Sequence, residues 1–143
     1  MTIARILGAK GADVVSVGPD ATGREVAETL ARHRIGAVLV RDGEGRVLGI
    51  LSERDLVRAM ARDGEAPHAV PARAVMTQVL STVTRVATIG EALALMTDRR
   101  VRHLPVMEAG TLLGMVSIGD LVKARIEEAE GEAQALREFV TSS

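Results

Sequence analysis

Two stretches of the chain run through the same order of apolar and polar positions. In the first, Asp13 to Val17 is short and β-branched, which predicts a strand. Thr22-Gly-Arg-Glu25 has the form of a capping box, in which a hydroxyl and a carboxylate satisfy free amides of a first helical turn. Val26, Leu30 and the neighbouring alanines then share one face, so a helix should run to about Arg34. Ala37 to Val40 and Val47 to Leu51 are apolar runs joined by Asp42-Gly-Glu-Gly-Arg46, the pattern of a hairpin with glycines supplying positive φ. Ser52-Glu-Arg-Asp55 opens a second helix through Ala61. The second stretch predicts strands near Leu80 to Val83, Leu104 to Val106 and Leu112 to Val116, with helices from Gly90 and from Gly119. The order is βαββα, twice.

The two stretches are copies. Val17, Ala21, Thr22, Glu25, Arg34 and Val40 recur 66 positions later as Val83, Ala87, Thr88, Glu91, Arg100 and Val106. One residue is then lost from the second turn, and Gly49, Ser52, Asp55 and Leu56 fall on Gly114, Ser117, Asp120 and Leu121. A weaker echo, Ala4-Arg5-Ile6-Leu7 against Ala72-Arg73-Ala74-Val75, introduces each half, and Arg62 to Pro71 is the joint. A unit of about 60 residues is marginal alone, so two should pack around an approximate two-fold axis and leave clefts between them. The expected fold is α/β (α+β), with one repeat over residues 1–66, the other over 67–126 and a helical tail over 127–143.

Composition narrows the chemistry. Of 143 residues 47% are hydrophobic, and 18 basic against 19 acidic side chains leave a net charge of -1, which argues against a phosphate-backbone binder. Phe139 is the only aromatic residue, so base-stacking platforms are missing and no nucleic-acid partner is expected. Absence of cysteine removes disulfides, thiolate catalysis and cysteine-ligated metals. No window approaches the roughly 20 apolar residues of a membrane span, and the first twenty residues hold no signal-peptide core. A cytoplasmic location with no membrane partner is expected. No Gly-x-Gly-x-x-Gly, Walker loop or Ser/His/Asp set is present, no catalytic residue is assigned, and His33, His68 and His103 share no metal spacing. Gly8-Ala-Lys-Gly11 matches a Gly-x-x-Gly backbone clamp only superficially and reads as a turn.

The motifs that carry chemistry are Gly49-Ile-Leu-Ser52-Glu-Arg-Asp55-Leu and Gly114-Met-Val-Ser117-Ile-Gly-Asp120-Leu. Each sets a hydroxyl and a carboxylate three residues apart where a strand turns into a helix N-terminus. Free amides and the positive end of the dipole suit a phosphate there, and a carboxylate accepting two hydrogen bonds suits the vicinal hydroxyls of a ribose. The same spacing is that of a helix cap, worth about 0.5–2 kcal/mol with no ligand at all. Recurrence in both halves and the preceding glycine favour a nucleotide. Arg54 and Arg58, one turn apart, either face a phosphate or are solvated surface.

The repeated βαββα order, the two Gly-x-x-Ser-x-x-Asp-Leu motifs and Arg102-His103-Leu104-Pro105-Val106 resemble a tandem pair of CBS domains, a Bateman module, over about residues 3 to 126. The resemblance implies ribose at Asp55 and Asp120, and phosphate or ribose at Ser52 and Ser117. It implies adenine against main chain of Val15 to Val17, Ile35 to Val38, Leu80 to Val83 and Val101 to Leu104, with Gly36, Ala37 and Val38 in the first repeat answering Arg102, His103 and Leu104 in the second. The implied ligands are AMP, ADP or ATP, less often NAD or S-adenosylmethionine, bound without catalysis. The implied partners are a second copy in a homodimer and a regulated protein. Gly36-Ala37 stands where the second repeat has Arg102-His103, so the two clefts should be unequal and phosphorylated ligands should depend on Arg102. The alternatives are a ligand-independent dimeric scaffold for a partner protein and, least supported, a nucleotide hydrolase.

In the tail, Val122, Ile126, Ala129, Ala133, Leu136 and Val140 are spaced as the heptad seam of a helix that packs against another. Gly131 costs about 1 kcal/mol of helix propensity, and alanines thin the seam. The tail is therefore expected to dock within an existing dimer, or to fold back on its own subunit.

Overall fold

The computed structural model describes residues 1–63, 69–78 and 81–142. It forms two compact units, one of residues 14–80 and one of residues 1–13 with 81–143. The centre of the joint, with Gly64, Pro67 and His68, and the strand start at Leu80 lie outside the described residues.

In the unit of residues 14–80, β1 (Ser16–Val17) pairs parallel with β2 (Ala37–Arg41), and β2 pairs antiparallel with β3 (Val47–Ser52). Helix α2 (Gly23–His33) starts on the predicted capping box: Glu25 N donates to Thr22 Oγ1 at 3.2 Å, and Thr22 N donates to Glu25 Oε2 at 3.3 Å. It ends at Arg34 in the left-handed region, φ 53°. The hairpin between β2 and β3 closes on Asp42, whose Oδ1 accepts the amides of Glu44 and Arg46, each at 2.9 Å. Helix α3 (Glu53–Asp63) follows β3 without a linking residue. Val26, Leu30, Val38, Val40 and Leu51 form the core, completed by Ala72 of the one-turn helix α4 (Ala72–Val75).

The other unit repeats the plan. Helix α5 (Ile89–Arg99) starts on Thr88 and ends at Arg100, φ 55°, again left-handed. Strands β4 (His103–Glu108) and β5 (Thr111–Ser117) form a hairpin, and Val83 bridges parallel to Val106 where the first unit has β1. The shorter turn puts both central residues, Ala109 and Gly110, at positive φ, as a two-residue hairpin with the right twist requires. Helix α6 (Ile118–Ser142) leaves β5 directly and continues through Gly131 as one helix, so the tail does not fold back. Helix α1 (Ile3–Lys10) supplies Ile3 and Ile6 to the core formed with Ile89, Leu104, Val116 and Leu121. The introductory segments therefore lie in the opposite arrangement to their order in the chain: α1 completes the unit of the second repeat, and α4 that of the first. A short apolar helix docks wherever an apolar face is left open, and that choice is not written in its own pattern.

Among the described residues no helix is long and apolar enough to cross a membrane.

Candidate functional site

Each Ser-x-x-Asp motif forms a corner between a strand and the helix that follows it. At the first, Ser52 N donates to Asp55 Oδ2 at 2.8 Å, Ser52 Oγ donates to the same oxygen at 3.1 Å, and Asp55 N donates to Ser52 Oγ at 3.2 Å. Glu53 N donates to the carbonyl of Gly36 at 3.0 Å, so the adjoining strand end is tied to the helix start. Ala37 pairs in register with Ser52. Asp55 is 8% exposed, and its Oδ1 accepts Thr77 Oγ1 at 2.9 Å with Arg58 Nη1 3.8 Å away.

Thr77 reaches that corner because Gly49 lets the chain after α4 lie on β3. Ile50 and Thr77 exchange backbone hydrogen bonds of 2.9 and 2.8 Å. A Cβ on Gly49 would stand 2.7 Å from Met76 Sδ and 2.8 Å from the Thr77 carbonyl oxygen. The glycine before the motif thus serves a close approach, which is one of the few physical reasons to require it.

The second corner is built alike with one change. Ser117 N donates to Asp120 Oδ2 at 2.8 Å, Asp120 N donates to Ser117 Oγ at 3.2 Å, and Ile118 N donates to the carbonyl of Arg102 at 2.8 Å. His103 pairs in register with Ser117. In place of Thr77 stands Lys10, the last residue of α1, whose Nζ donates to Asp120 Oδ2 at 2.7 Å and to the Met115 carbonyl at 2.9 Å. Gly114 makes the room, since a Cβ there would meet Leu7 Cδ2 at 2.8 Å. The Asp120 side chain is 24% exposed, and Oδ1 takes part in none of these bonds. Burial pushes its carboxyl up, but the Lys10 hydrogen bond, the Ser117 amide and the Lys10 charge together outweigh it and hold the group below its ordinary value.

The remaining sequence-derived residues divide into backbone and surface roles. Gly36 and Arg102 sit at their corners through their carbonyls, and the Arg102 and Arg54 side chains are exposed. Ala37, Val38, Val83 and Leu104 are buried, with Val38, Val83 and Leu104 in the two cores, so they offer a ligand main chain only. Val15 and Val17 are half-buried against the first core. Lys10 and Thr77 escaped sequence reasoning. The echo of the two introductory segments, followed a few residues past Leu7 and Val75, leads to both. Among the described residues no group of three or more His, Asp or Glu side chains is placed to hold a metal ion.

The CBS-domain model matches residues 10–62 and 72–127, and the chain belongs to that family as a two-repeat regulatory module. It is 37% identical over 125 residues to the mitochondrial CBS domain-containing protein CBSX3 of Arabidopsis thaliana, covering 85% of this chain and 61% of the plant protein. The chain thus spans about three fifths of that relative's length. It superposes on the crystal structure of a CBS-domain containing protein from Agrobacterium tumefaciens with a TM-score of 0.85 and 46% identity, covering 87% of this chain and 99% of that one. A CBS domain protein of Pyrobaculum aerophilum complexed with AMP matches with a TM-score of 0.73 and 29% identity over 84% of this chain and 89% of its own. Hypoxic response protein I, solved with two coordinated zinc ions, matches at 0.71 and 28% over 86% of this chain and 98% of its own.

Proposed function

We propose that the protein is a non-catalytic sensor binding an adenosine nucleotide, AMP, ADP or ATP, and that the Asp120 corner is the one that takes its phosphate. The observation that carries this reading is the Lys10–Asp120 pair at the N-terminus of α6. It sets a carboxylate suited to ribose hydroxyls beside a cation suited to phosphate, with the exposed Arg102 at the adjoining strand end. Asp120 Oδ1 stands outside the corner's own bonds, so a hydroxyl can reach it without breaking one. The AMP complex of the Pyrobaculum relative supports the same ligand class.

The Asp55 corner is the weaker site. Both of its carboxylate oxygens are engaged, and a ribose there displaces the Thr77 hydroxyl, a hydrogen bond worth about 0.5–1.5 kcal/mol. The inequality expected from Arg102 against Gly36 is thereby joined by a second, Lys10 against Thr77. A bound nucleotide acts on a second subunit or a regulated protein only through its differential affinity for two arrangements of the module.

The chain has no Trp or Tyr, so a purified sample with a clear absorbance peak near about 260 nm carries retained nucleotide. A thermal-shift panel of AMP, ADP, ATP, NAD, S-adenosylmethionine and GTP should show stabilisation by an adenosine nucleotide, about 2.7 kcal/mol at 100 times the dissociation constant. Stabilisation by NAD or S-adenosylmethionine alone would move the ligand assignment. Silence across the panel would leave both corners as helix caps and the protein as a scaffold.

A further inference from the structure

Helix α6 holds its unit with one face and leaves another open. Leu121 and Ala124 are buried and Glu128 is half-buried, and at 100° per residue these three share one side of the helix. Val122, Ile126, Ala129, Ala133 and Leu136 form a separate stripe centred about 130° round the helix and are all exposed, with Ile126 at 52% and Leu136 at 64%. Val140 continues the same spacing. Neither stripe interferes with the other, so the seam is open to a partner without any rearrangement of the domain behind it.

We infer that this seam pairs with the same seam of a second copy, as a parallel, in-register two-helix coiled coil. The spacing of four and three puts Ile126 and Ala133 at one class of core position and Val122, Ala129 and Leu136 at the other. The flanking positions then fall on Lys123, Arg125, Glu130, Glu132, Arg137 and Phe139, of which Arg125, Glu130, Glu132 and Arg137 have a counterpart within the seam. In parallel register the flanking residue just before Ile126 or Ala133 faces the one five positions on in the other helix. Arg125 meets Glu130 of the second copy and Glu132 meets its Arg137, so both pairs attract, and each occurs twice by symmetry.

The antiparallel pairing that lays the whole seam on itself sets Ile126 against Leu136 and Ala129 against Ala133 of the other copy. It brings Glu130 against Glu130, Glu132 against Glu132 and Lys123 towards Arg137, all like charges. Charge therefore selects the parallel arrangement. Arg125 is available for it, since within its own subunit its guanidinium approaches Glu128 no closer than 3.8 Å. The small side chains at Ala129 and Ala133 let the two helices approach closely at mid-seam. This inference stands independently of nucleotide binding.

Because the chain has no cysteine, a single introduced thiol reports the pairing. In the parallel register residue 133 meets its own counterpart, so the full-length Ala133→Cys variant, mildly oxidised at micromolar concentration, should run as a disulfide-linked dimer on a non-reducing gel. Adding Arg125→Glu should cut the linked fraction several-fold, and adding Glu130→Arg to that should restore it, which loss of folding would not allow. Linkage only in a mixture of Ala133→Cys with Ala129→Cys chains indicates the antiparallel arrangement and overturns the inference. Absence of linkage in every combination, or linkage indifferent to the charge reversal, overturns it as well and leaves the seam to a different protein.

Discussion

Lys10 Nζ and Asp120 Oδ2 lie 2.7 Å apart although 110 positions separate the two residues in the chain. The contact joins the end of α1 to the start of α6, so one ion pair couples the first helix of the protein to the corner proposed to hold a phosphate. Opposite it in the repeat, Thr77 fills the same role towards Asp55 with a neutral hydroxyl.

Replacing Lys10 with Met, or Arg102 with Ala, should weaken AMP by about tenfold, the scale of one charge-assisted hydrogen bond, and leave adenosine nearly unaffected. Isothermal titration with both ligands checks this. Asp120→Ala should abolish binding of both. Full AMP affinity in Lys10→Met and Arg102→Ala alongside loss in Asp120→Ala would remove the cations from the account.

Acid should remove stability at the Asp120 corner. Its folded-state value lies below the ordinary 3.8, so the carboxylate contributes stability in full above 3.8, and that contribution is lost as the pH falls through the lowered value. In Lys10→Met the hydrogen bond and charge that hold the carboxyl down are gone, so the gap between the folded and unfolded values narrows and the acid-linked loss of stability at this corner should be smaller. Urea midpoints measured over the acid range, for the wild type and the variant, give the comparison. Superimposable curves would contradict it.

Asp55→Ala removes the carboxylate that accepts the Ser52 amide and hydroxyl and strands the Thr77 hydroxyl, and should destabilise the unit of residues 14–80 by about 0.5–2 kcal/mol. Thr77→Val should cost about 1 kcal/mol. Neither should change AMP affinity at Asp120 by more than about twofold. Thermal unfolding and titration on the same samples separate the structural corner from the binding one.

The two motif glycines should differ. Gly49→Ala drives a methyl group against the carbonyl of Thr77, whose backbone is held by two hydrogen bonds to Ile50, and should cost about 1–3 kcal/mol. Gly114→Ala meets only the tip of Leu7, which can change rotamer for about 0.5–1.5 kcal/mol. Equal losses in denaturant midpoint would show that the α1 contact is as rigid as the α4 contact.

Local signals carried most of the fold. The Thr22 and Thr88 caps, the hairpin turn at Asp42 and both Ser-x-x-Asp corners depend on residues within four positions of one another, and all form where the pattern places them. What the pattern left open is long-range. Gly8 to Lys10 finish α1 where a turn was expected, and only Gly11, at φ 96°, turns the chain. The partner of each introductory helix depends on which sheet face is uncovered, and Lys10 and Thr77 acquire their roles only through that docking. The seam of α6 was visible as spacing, whereas its exposure became visible only when Leu121 and Ala124 were seen to hold the other side.

Ile3 and Ile6 sit among residues from Val83 to Ala124, with the whole of residues 14–80 intervening. A ribosome must therefore release the chain as far as Ala124 before the unit that contains α1 can close, while the unit of residues 14–80 has all its parts much earlier. Until then the apolar side of α1 stays uncovered, and a fragment cut at the joint between repeats would inherit that bare surface permanently.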